Sequence, residues 1–152
     1  MQGVPENRGM GMDDHLMKKI ISAAEGARAR AYAPYSKFAV GAALLTEDGQ
    51  IFAGANLENA SSSLTVCAER VAVFSAVSAG YYRFKAMAVI ADSPEPVFPC
   101  GSCRQVLWEL AGDIRIIAAN LDHKIIITTL SNLLPHPFVT EGLSSPRGYF
   151  KK

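Results

Sequence analysis

The sequence has no excess of charge of either sign, since its 15 basic and 14 acidic residues give a formal net charge of +1. Proteins that bind nucleic-acid polymers usually carry a basic footprint, and none is visible here. No apolar run approaches the roughly 18 residues of a membrane-spanning helix. The first residues, MQGVPENR, lack the charged-then-apolar order of a signal peptide. We therefore expect a cytoplasmic protein that binds neither a nucleic-acid polymer nor a membrane.

Cysteine is scarce, and the number of cysteines is odd. The three are Cys67, Cys100 and Cys103. An odd number at metal-like spacing, without an export signal, favours a reducing compartment over a disulfide framework. The thiols are therefore candidates for metal binding.

The length and composition suit one folded domain. A chain of 152 residues, 49% hydrophobic and 19% charged, can bury a single core. The hydrophobic surplus suggests oligomerisation. We expect a flexible N-terminal extension at 1–12, a folded domain at 13–138 and a C-terminal tail at 139–152.

The spacing of apolar residues predicts alternating helices and strands. Helices are expected from Asp13 or Asp14 to Ala33, over 67–79, over 101–111 and as a turn at 130–134. Strands are expected at 38–46, 51–56, 86–91, 114–119 and 124–128. Strands that are apolar on both faces belong in a sheet that is covered on both sides. The fold class predicted is α/β, a three-layer α/β/α sandwich with a mixed sheet of about five strands.

Two short motifs contain the residues best suited to chemistry, Cys67-Ala68-Glu69-Arg70 and Pro99-Cys100-Gly101-Ser102-Cys103. Both open predicted helices, and the partial positive charge of a helix N-terminus favours thiolate over thiol. Zinc prefers such ligands, and a catalytic zinc site keeps one position open for water. Glu69 follows Cys67 by two residues, so it can share the pocket and move protons without binding the metal. Arg70 can offset the negative charge of three thiolates.

Two other interpretations of the cysteines remain open at this point. One is a closed structural zinc site with His123 or His136 as fourth ligand, and the other is that all three cysteines are core residues. The Cys-x2-Cys spacing alone does not separate them from a catalytic site. A glutamate in the first motif and a proline before the second favour catalysis, because the motifs supply a base as well as ligands.

Together with three further motifs, these residues resemble the cytidine deaminases of the small, three-cysteine, homotetrameric type over about 14–138. The further motifs are YSKFAVGAA at 35–43, NLENAS at 56–61 and LLP at 133–135, and the second cysteine motif continues with Arg104-Gln105. The resemblance implies a hydrolase that deaminates free cytidine and 2′-deoxycytidine in pyrimidine salvage. It also implies one Zn²⁺ per subunit of a homotetramer.

The resemblance assigns roles to the residues around the cysteines. It implies that the three cysteines bind zinc, that Glu69 is the catalytic proton carrier and that the backbone near Ala68 contacts the pyrimidine. Arg70 and Gln105 resemble groups that hydrogen-bond to the thiolates. A glutamine on a helix is otherwise more often a solvated surface residue.

The remaining roles concern the substrate. Phe38 resembles the aromatic residue near the base, while Asn56 and Glu58 resemble the pair that holds the ribose 3′-hydroxyl. Taken alone, Phe38 opens an apolar stretch and suits core packing equally well. Asn56 and Glu58 alone would suggest a turn with an exposed acid.

Three departures from the family pattern concern substrate range and subunit contacts. They are Ser62-Ser63, Phe98 and Lys37, of which the last replaces a commoner asparagine. The Ser62-Ser63 departure keeps open a deaminase of modified cytosine nucleosides or of a cytosine-containing antibiotic such as blasticidin S, whereas Asn56 and Glu58 favour a plain ribose. A polynucleotide-editing enzyme and a non-enzymatic zinc module are further alternatives, and the neutral charge disfavours the former.

Overall fold

The computed structural model describes residues 12–140 and Tyr149, and its elements alternate much as predicted. The helices are α1 (Asp14–Arg28), α2 (Ala68–Ser78), α3 (Gly101–Ala111) and α4 (Leu130–Leu133). The strands are β1 (Val40–Thr46), β2 (Ile51–Ala55), β3 (Phe84–Ala91), β4 (Arg115–Asn120) and β5 (Ile125–Thr129). The extension predicted at 1–12 and the tail predicted at 139–152 lie largely outside the described residues.

The five strands form one mixed sheet in the order β2-β1-β3-β4-β5. The β3–β4 pair is parallel, and the other three pairs are antiparallel. β1 is buried on both faces. Successive side chains of a strand point to opposite sides of the sheet, so its residues enter two separate cores. Its Ala42 and Leu44 pack in the core shared with α2 and α3, whereas Ala43 and Leu45 pack in the core shared with α1. The predicted three-layer α/β/α sandwich is confirmed.

Helix α2 lies unusually close to the sheet where it crosses β2. A Cβ atom placed on Gly54 would lie 2.7 Å from the backbone nitrogen of Ala72 and 2.8 Å from the carbonyl oxygen of Ala68. Only glycine leaves room for this approach. The first turn of α2, which carries Glu69, is thus seated directly on β2.

The first helix ends five residues earlier than its predicted end at Ala33. After Arg28 the chain turns, and Tyr32 pairs with the segment that follows β2. The N–H of Tyr32 donates to the carbonyl of Asn56 at 2.9 Å, and the N–H of Glu58 donates to the carbonyl of Tyr32 at 2.8 Å. This tertiary pairing outweighs the helical periodicity of the sequence.

No helix among the described residues combines the length and apolar character needed to cross a membrane.

Candidate active site

The three cysteine sulfurs converge, and together they lie within 4.8 Å of one another. Cys67 is the N-cap of α2, Cys100 is the N-cap of α3, and Cys103 lies in the first turn of α3. Neither N-cap side chain bonds to its helix, so both sulfurs are free to turn toward the cluster. Cys103 is buried, Cys67 is half-buried and Cys100 is exposed.

The geometry of the cluster suits zinc. Sulfurs about 2.3 Å from a tetrahedral zinc ion lie about 3.8 Å apart, and the sulfurs of Cys67 and Cys100 are 4.0 Å apart. Within residues 12–140, no histidine or carboxylate joins the cluster. Neither His123 nor His136 therefore completes a closed site, and three ligands is the number typical of catalytic zinc.

The electrostatics of the cluster also suit a cation. A hydrogen bond from Cys103, aided by Arg70, lowers the pKa of the Cys67 thiol to about 5. The same hydrogen bond and burial raise the pKa of Cys103, because its thiol donates to the Cys67 sulfur and so keeps its proton. The negative charges of Glu69 and Cys67 repel a further negative charge on Cys103 and add to the pKa shift. A divalent ion between the sulfurs removes this repulsion and allows all three to be thiolates.

Arg70 lies against the cluster, as the charge argument requires. Its Nη2 atom donates to the sulfur of Cys67 at 3.5 Å, while its Nε atom is buried without a hydrogen-bond partner. The guanidinium thus brings positive charge to the side of the cluster that faces α2.

Glu69 is a buried carboxyl beside the cluster, with 5% of its surface exposed. It lies in the first turn of α2 next to Ala68, which is fully buried. Burial raises the pKa of Glu69 to about 7, and the nearby Cys67 adds to the shift. A carboxyl in this setting can take up and release a proton near neutral pH.

Two of the four residues predicted to bind substrate, Asn56 and Glu58, hydrogen-bond to the backbone of the segment 35–40 that contains a third, Phe38. The amide nitrogen of Asn56 donates to the carbonyl of Phe38 at 2.8 Å, and the amide oxygen accepts from the N–H of Val40 at 2.9 Å. The Glu58 carboxylate accepts from the N–H groups of Tyr35 and Ser36 at 3.0 and 3.1 Å. Asn56 and Glu58 thus hold the loop that carries Phe38, which is 40% exposed.

A backbone pairing brings this loop next to the cysteines. Leu57 and Val66 exchange hydrogen bonds of 3.0 and 2.9 Å, so Asn56 and Glu58 lie one strand away from Cys67. Hydrogen bonds from Ser36 are the main reason that the pKa of Glu58 is lowered. The sugar-binding roles of Asn56 and Glu58 stay predictions.

The side chain of Gln105 hydrogen-bonds to the backbone of Phe138. Its amide nitrogen donates to the carbonyl of Phe138 at 2.8 Å, and its amide oxygen accepts from the N–H of Phe138 at 2.9 Å. The side chain thus ties α3 to the segment after α4. Its predicted hydrogen bond to the thiolates stays a prediction.

Sequence reasoning missed two residues that hold the loop leading into Cys100, namely Arg104 and Asn120. Arg104 bonds to the carbonyls of Pro99 and Leu133, and Asn120 bonds to those of Ser93 and Pro94. The one available signal was the position of Arg104 directly after Cys103. A buried asparagine at a strand end carries no such signal.

The departures from the family pattern lie at the surface or in loops. Ser62 and Ser63 form part of a short exposed 3₁₀ turn, and Phe98 packs partly against the core. Lys37 has a positive φ of 60°, a conformation that asparagine adopts more readily than lysine.

Comparisons with known proteins agree with this geometry. A family model described as the cytidine and deoxycytidylate deaminase zinc-binding region matches residues 13–119. A cytidine deaminase from Sporosarcina psychrophila is 52% identical over 84% of this chain and 95% of that protein. The crystal structure of a cytidine deaminase from Burkholderia pseudomallei is similar with a TM-score of 0.78 and 47% identity, over 84% of this chain and all of that one.

A more distant relative bears on the antibiotic alternative. A blasticidin-S deaminase from Bacillus cereus is 32% identical over 66% of this chain and 76% of that protein. The similarity to the cytidine deaminases is higher and spans more of the chain. Fold, cysteine cluster and family match point in one direction, and the chain belongs to the family of zinc-binding cytidine and deoxycytidylate deaminases.

Proposed function

We propose that this protein deaminates free cytidine and 2′-deoxycytidine by hydrolysis, giving uridine or 2′-deoxyuridine and ammonia. The observation that carries the proposal is the buried carboxyl of Glu69 beside three converging cysteine sulfurs, in a chain of the cytidine deaminase family. The cluster offers metal ligands, and Glu69 offers a separate group for proton transfer.

Cys67, Cys100 and Cys103 would hold one zinc ion per subunit. A bound zinc ion would make a water molecule reactive at neutral pH. The thiolates cannot do this without the metal. Three thiolates make a bound water less acidic than neutral ligands would. The Arg70 guanidinium and the positive ends of α2 and α3 offset this negative charge.

Glu69 moves the protons of the reaction. Its carboxylate takes a proton from the attacking water and delivers it to N3 of the pyrimidine, which makes C4 more electrophilic. The water oxygen bonds to C4, and Glu69 then takes the remaining proton of that hydroxyl and passes it to the amino group. The C4–N bond breaks, ammonia leaves, and the oxygen remains as the C4 carbonyl of the product. A buried carboxyl in the first turn of α2 suits this exchange because it competes with little solvent.

The substrate is held by the loop and strand end that adjoin the cluster. Asn56 and Glu58 bind the ribose hydroxyl, the exposed ring of Phe38 lies near the base, and the backbone at Ala68 contacts the pyrimidine edge. The hydrogen bonds of Asn56 and Glu58 to the loop support this assignment, because they order the ring and the sugar pocket as one unit.

Further proposals concern the whole protein. We propose a homotetramer in the cytoplasm that serves pyrimidine salvage, with residues 13–138 as the folded domain between an N-terminal extension and a C-terminal tail. Exposed apolar side chains support the assembly, among them Tyr35, Leu64 and Phe74. Light scattering after size-exclusion chromatography should give four times the mass of the chain, and a monomer would contradict the assembly.

One assay tests the reaction. Ultraviolet absorbance should show loss of cytidine in the presence of the zinc-loaded protein, and prior chelation should stop it. Absence of loss with a fully zinc-loaded sample would contradict the proposed function.

A second assay tests the substrate range. Rates on cytidine, 2′-deoxycytidine, cytosine and blasticidin S should favour the two nucleosides, because the amide of Asn56 and the carboxylate of Glu58 suit the hydroxyls of a plain sugar. A faster rate on blasticidin S would instead favour the antibiotic deaminase.

A further inference from the structure

The loop at 92–99, between β3 and α3, delivers Cys100 to the site, and it contains neither helix nor strand. Cys103 is fully buried, so packing holds its side chain. Cys100 is exposed and makes no capping bond with its helix, so packing does not hold it in the same way. The position of the Cys100 sulfur among the other two therefore depends on the backbone of the loop that leads into Cys100.

Arg104 binds that backbone directly. Its Nε atom donates to the carbonyl oxygen of Pro99 at 2.7 Å, and its Nη1 atom donates to the carbonyl oxygen of Leu133 at 2.9 Å. The Pro99 carbonyl belongs to the planar peptide that joins Pro99 to Cys100. A hydrogen bond to this oxygen therefore restricts the direction in which Cys100 leaves the loop.

The guanidinium suits this task better than other side chains. It presents several N–H donors in a rigid plane, so one Arg104 can bridge a loop carbonyl and a carbonyl at the end of α4. Hydrogen bonds from a charged donor are also stronger than neutral ones. Arg104 follows Cys103 on α3. Its two hydrogen bonds therefore connect α3 and the loop before Cys100 to the end of α4.

The start of the same loop has its own anchors. Buried Asn120 donates to the carbonyls of Ser93 and Pro94 at 2.9 and 3.1 Å, and exposed Lys124 donates to the carbonyl of Pro94 at 3.1 Å. These contacts lie six or more residues before Cys100. They hold the loop without reaching its last peptide, which provides a matched comparison.

We propose that Arg104 is a positioning residue for the metal centre, holding Cys100 through the Pro99 carbonyl so that its sulfur meets those of Cys67 and Cys103. Arg104 acts through another residue and contacts neither metal nor substrate. The proposal rests on the zinc-binding role of the three cysteines. Loss of a group that orients a metal ligand typically weakens metal affinity by about 10–100-fold.

The test compares Arg104→Met with Lys124→Met, which removes the contacts of Lys124 with Pro94 and Glu95 in the first half of the loop. Zinc affinity is measured by competition with a chromophoric chelator, and the thiolate-to-metal absorption of the Co²⁺-loaded proteins is recorded. We expect zinc affinity to fall about 10–100-fold in Arg104→Met and to be unchanged in Lys124→Met. Saturating zinc should restore most of kcat in Arg104→Met, with KM for cytidine unchanged.

Other outcomes would overturn the proposal. A lower melting temperature with unchanged zinc affinity would show that Arg104 only stabilises the fold. A raised KM with unchanged zinc affinity would place Arg104 against the substrate. If Arg104→Met does not fold, Arg104→Leu replaces it, and native zinc affinity in that variant would also contradict the proposal. If the unsubstituted protein binds no zinc, the proposed function itself fails.

Discussion

The buried carboxyl of Glu69 distinguishes this cysteine cluster from a purely structural zinc site. Replacing Glu69 by Gln keeps its shape but removes its capacity to carry a proton. We expect kcat to fall at least about 100-fold, within the range typical of general acid-base catalysis, with zinc content unchanged. Elemental analysis and cytidine turnover measure the two quantities.

The control for this substitution is Glu109→Gln, an exposed position on α3. It removes the same charge away from the cluster and should leave turnover unchanged. Near-native turnover in Glu69→Gln would contradict the assigned proton transfer.

Glu58 makes stability depend on pH through its hydrogen bonds to the loop at 35–36. Because hydrogen bonding from Ser36 lowers its pKa in the folded state, the ionised form stabilises the fold. This contribution is complete above the ordinary carboxyl pKa of about 4.3 and is lost as pH falls through the lowered pKa.

Denaturant unfolding of the wild type and Glu58→Gln should show this directly. The wild type should be more stable at neutral pH by a margin that stays constant down to about pH 5 and closes below it. Other titrating groups are common to both proteins and cancel in the difference. A margin that does not change between neutral and strongly acidic pH would contradict the argument.

Lys37 has a left-handed backbone conformation, which is strained for a lysine. At a φ of 60°, a residue with a Cβ atom costs about 1–2 kcal/mol, and asparagine is more readily accommodated there. Lys37→Asn should therefore raise the free energy of unfolding by about 0.5–1 kcal/mol. His123, with a φ of 64°, should respond to Asn substitution in the same direction, and destabilisation at both positions would contradict the argument.

At the scale of elements, the contact between α2 and β2 places the turn of α2 that contains Glu69. A methyl group at Gly54 would meet the backbone of Ala68 and Ala72 at 2.8 and 2.7 Å, so α2 must shift. Gly54→Ala should lower the free energy of unfolding by about 1–3 kcal/mol. It should also lower kcat, because a shift of α2 would move its N-cap Cys67 and Glu69 in its first turn.

Gly26 provides the matched control for this substitution. A Cβ atom there meets nothing within 4 Å, and the residue lies inside α1. Gly26→Ala should raise the free energy of unfolding by about 0.5–1 kcal/mol with activity unchanged. Equal effects of the two substitutions would show that the α2–β2 approach is not responsible.

At the scale of the whole molecule, the metal centre joins α2, α3 and the loop between β3 and α3. A ligand that binds only the folded state stabilises it, by about 4 kcal/mol at 1,000 times its dissociation constant. Removing zinc with a chelator should therefore lower the melting temperature and abolish turnover together, and adding zinc back should restore both. Cys103→Ser should respond weakly to the chelator, whereas unchanged melting of the wild type would contradict the metal's structural contribution.

The pattern of the sequence predicted the order of helices and strands, the layered sheet and the convergence of the three cysteines. Strands that are apolar on both faces require a sheet that is covered on both sides. The metal-ligand spacing of the cysteines and the position of Glu69 two residues after Cys67 are local features that can be recognised in the sequence. The family pattern could also point to Phe38, Asn56 and Glu58 as neighbours.

Only the tertiary structure decided how those residues are held. The early end of α1, the loop bonds of Asn56 and Glu58, and the placement of Gln105 on Phe138 all depend on partners distant in the chain. The same is true of Arg104, whose two carbonyl partners come from separate segments. Local spacing reveals which atoms a residue offers, but the partner of a hydrogen bond is set by which segments the fold brings together.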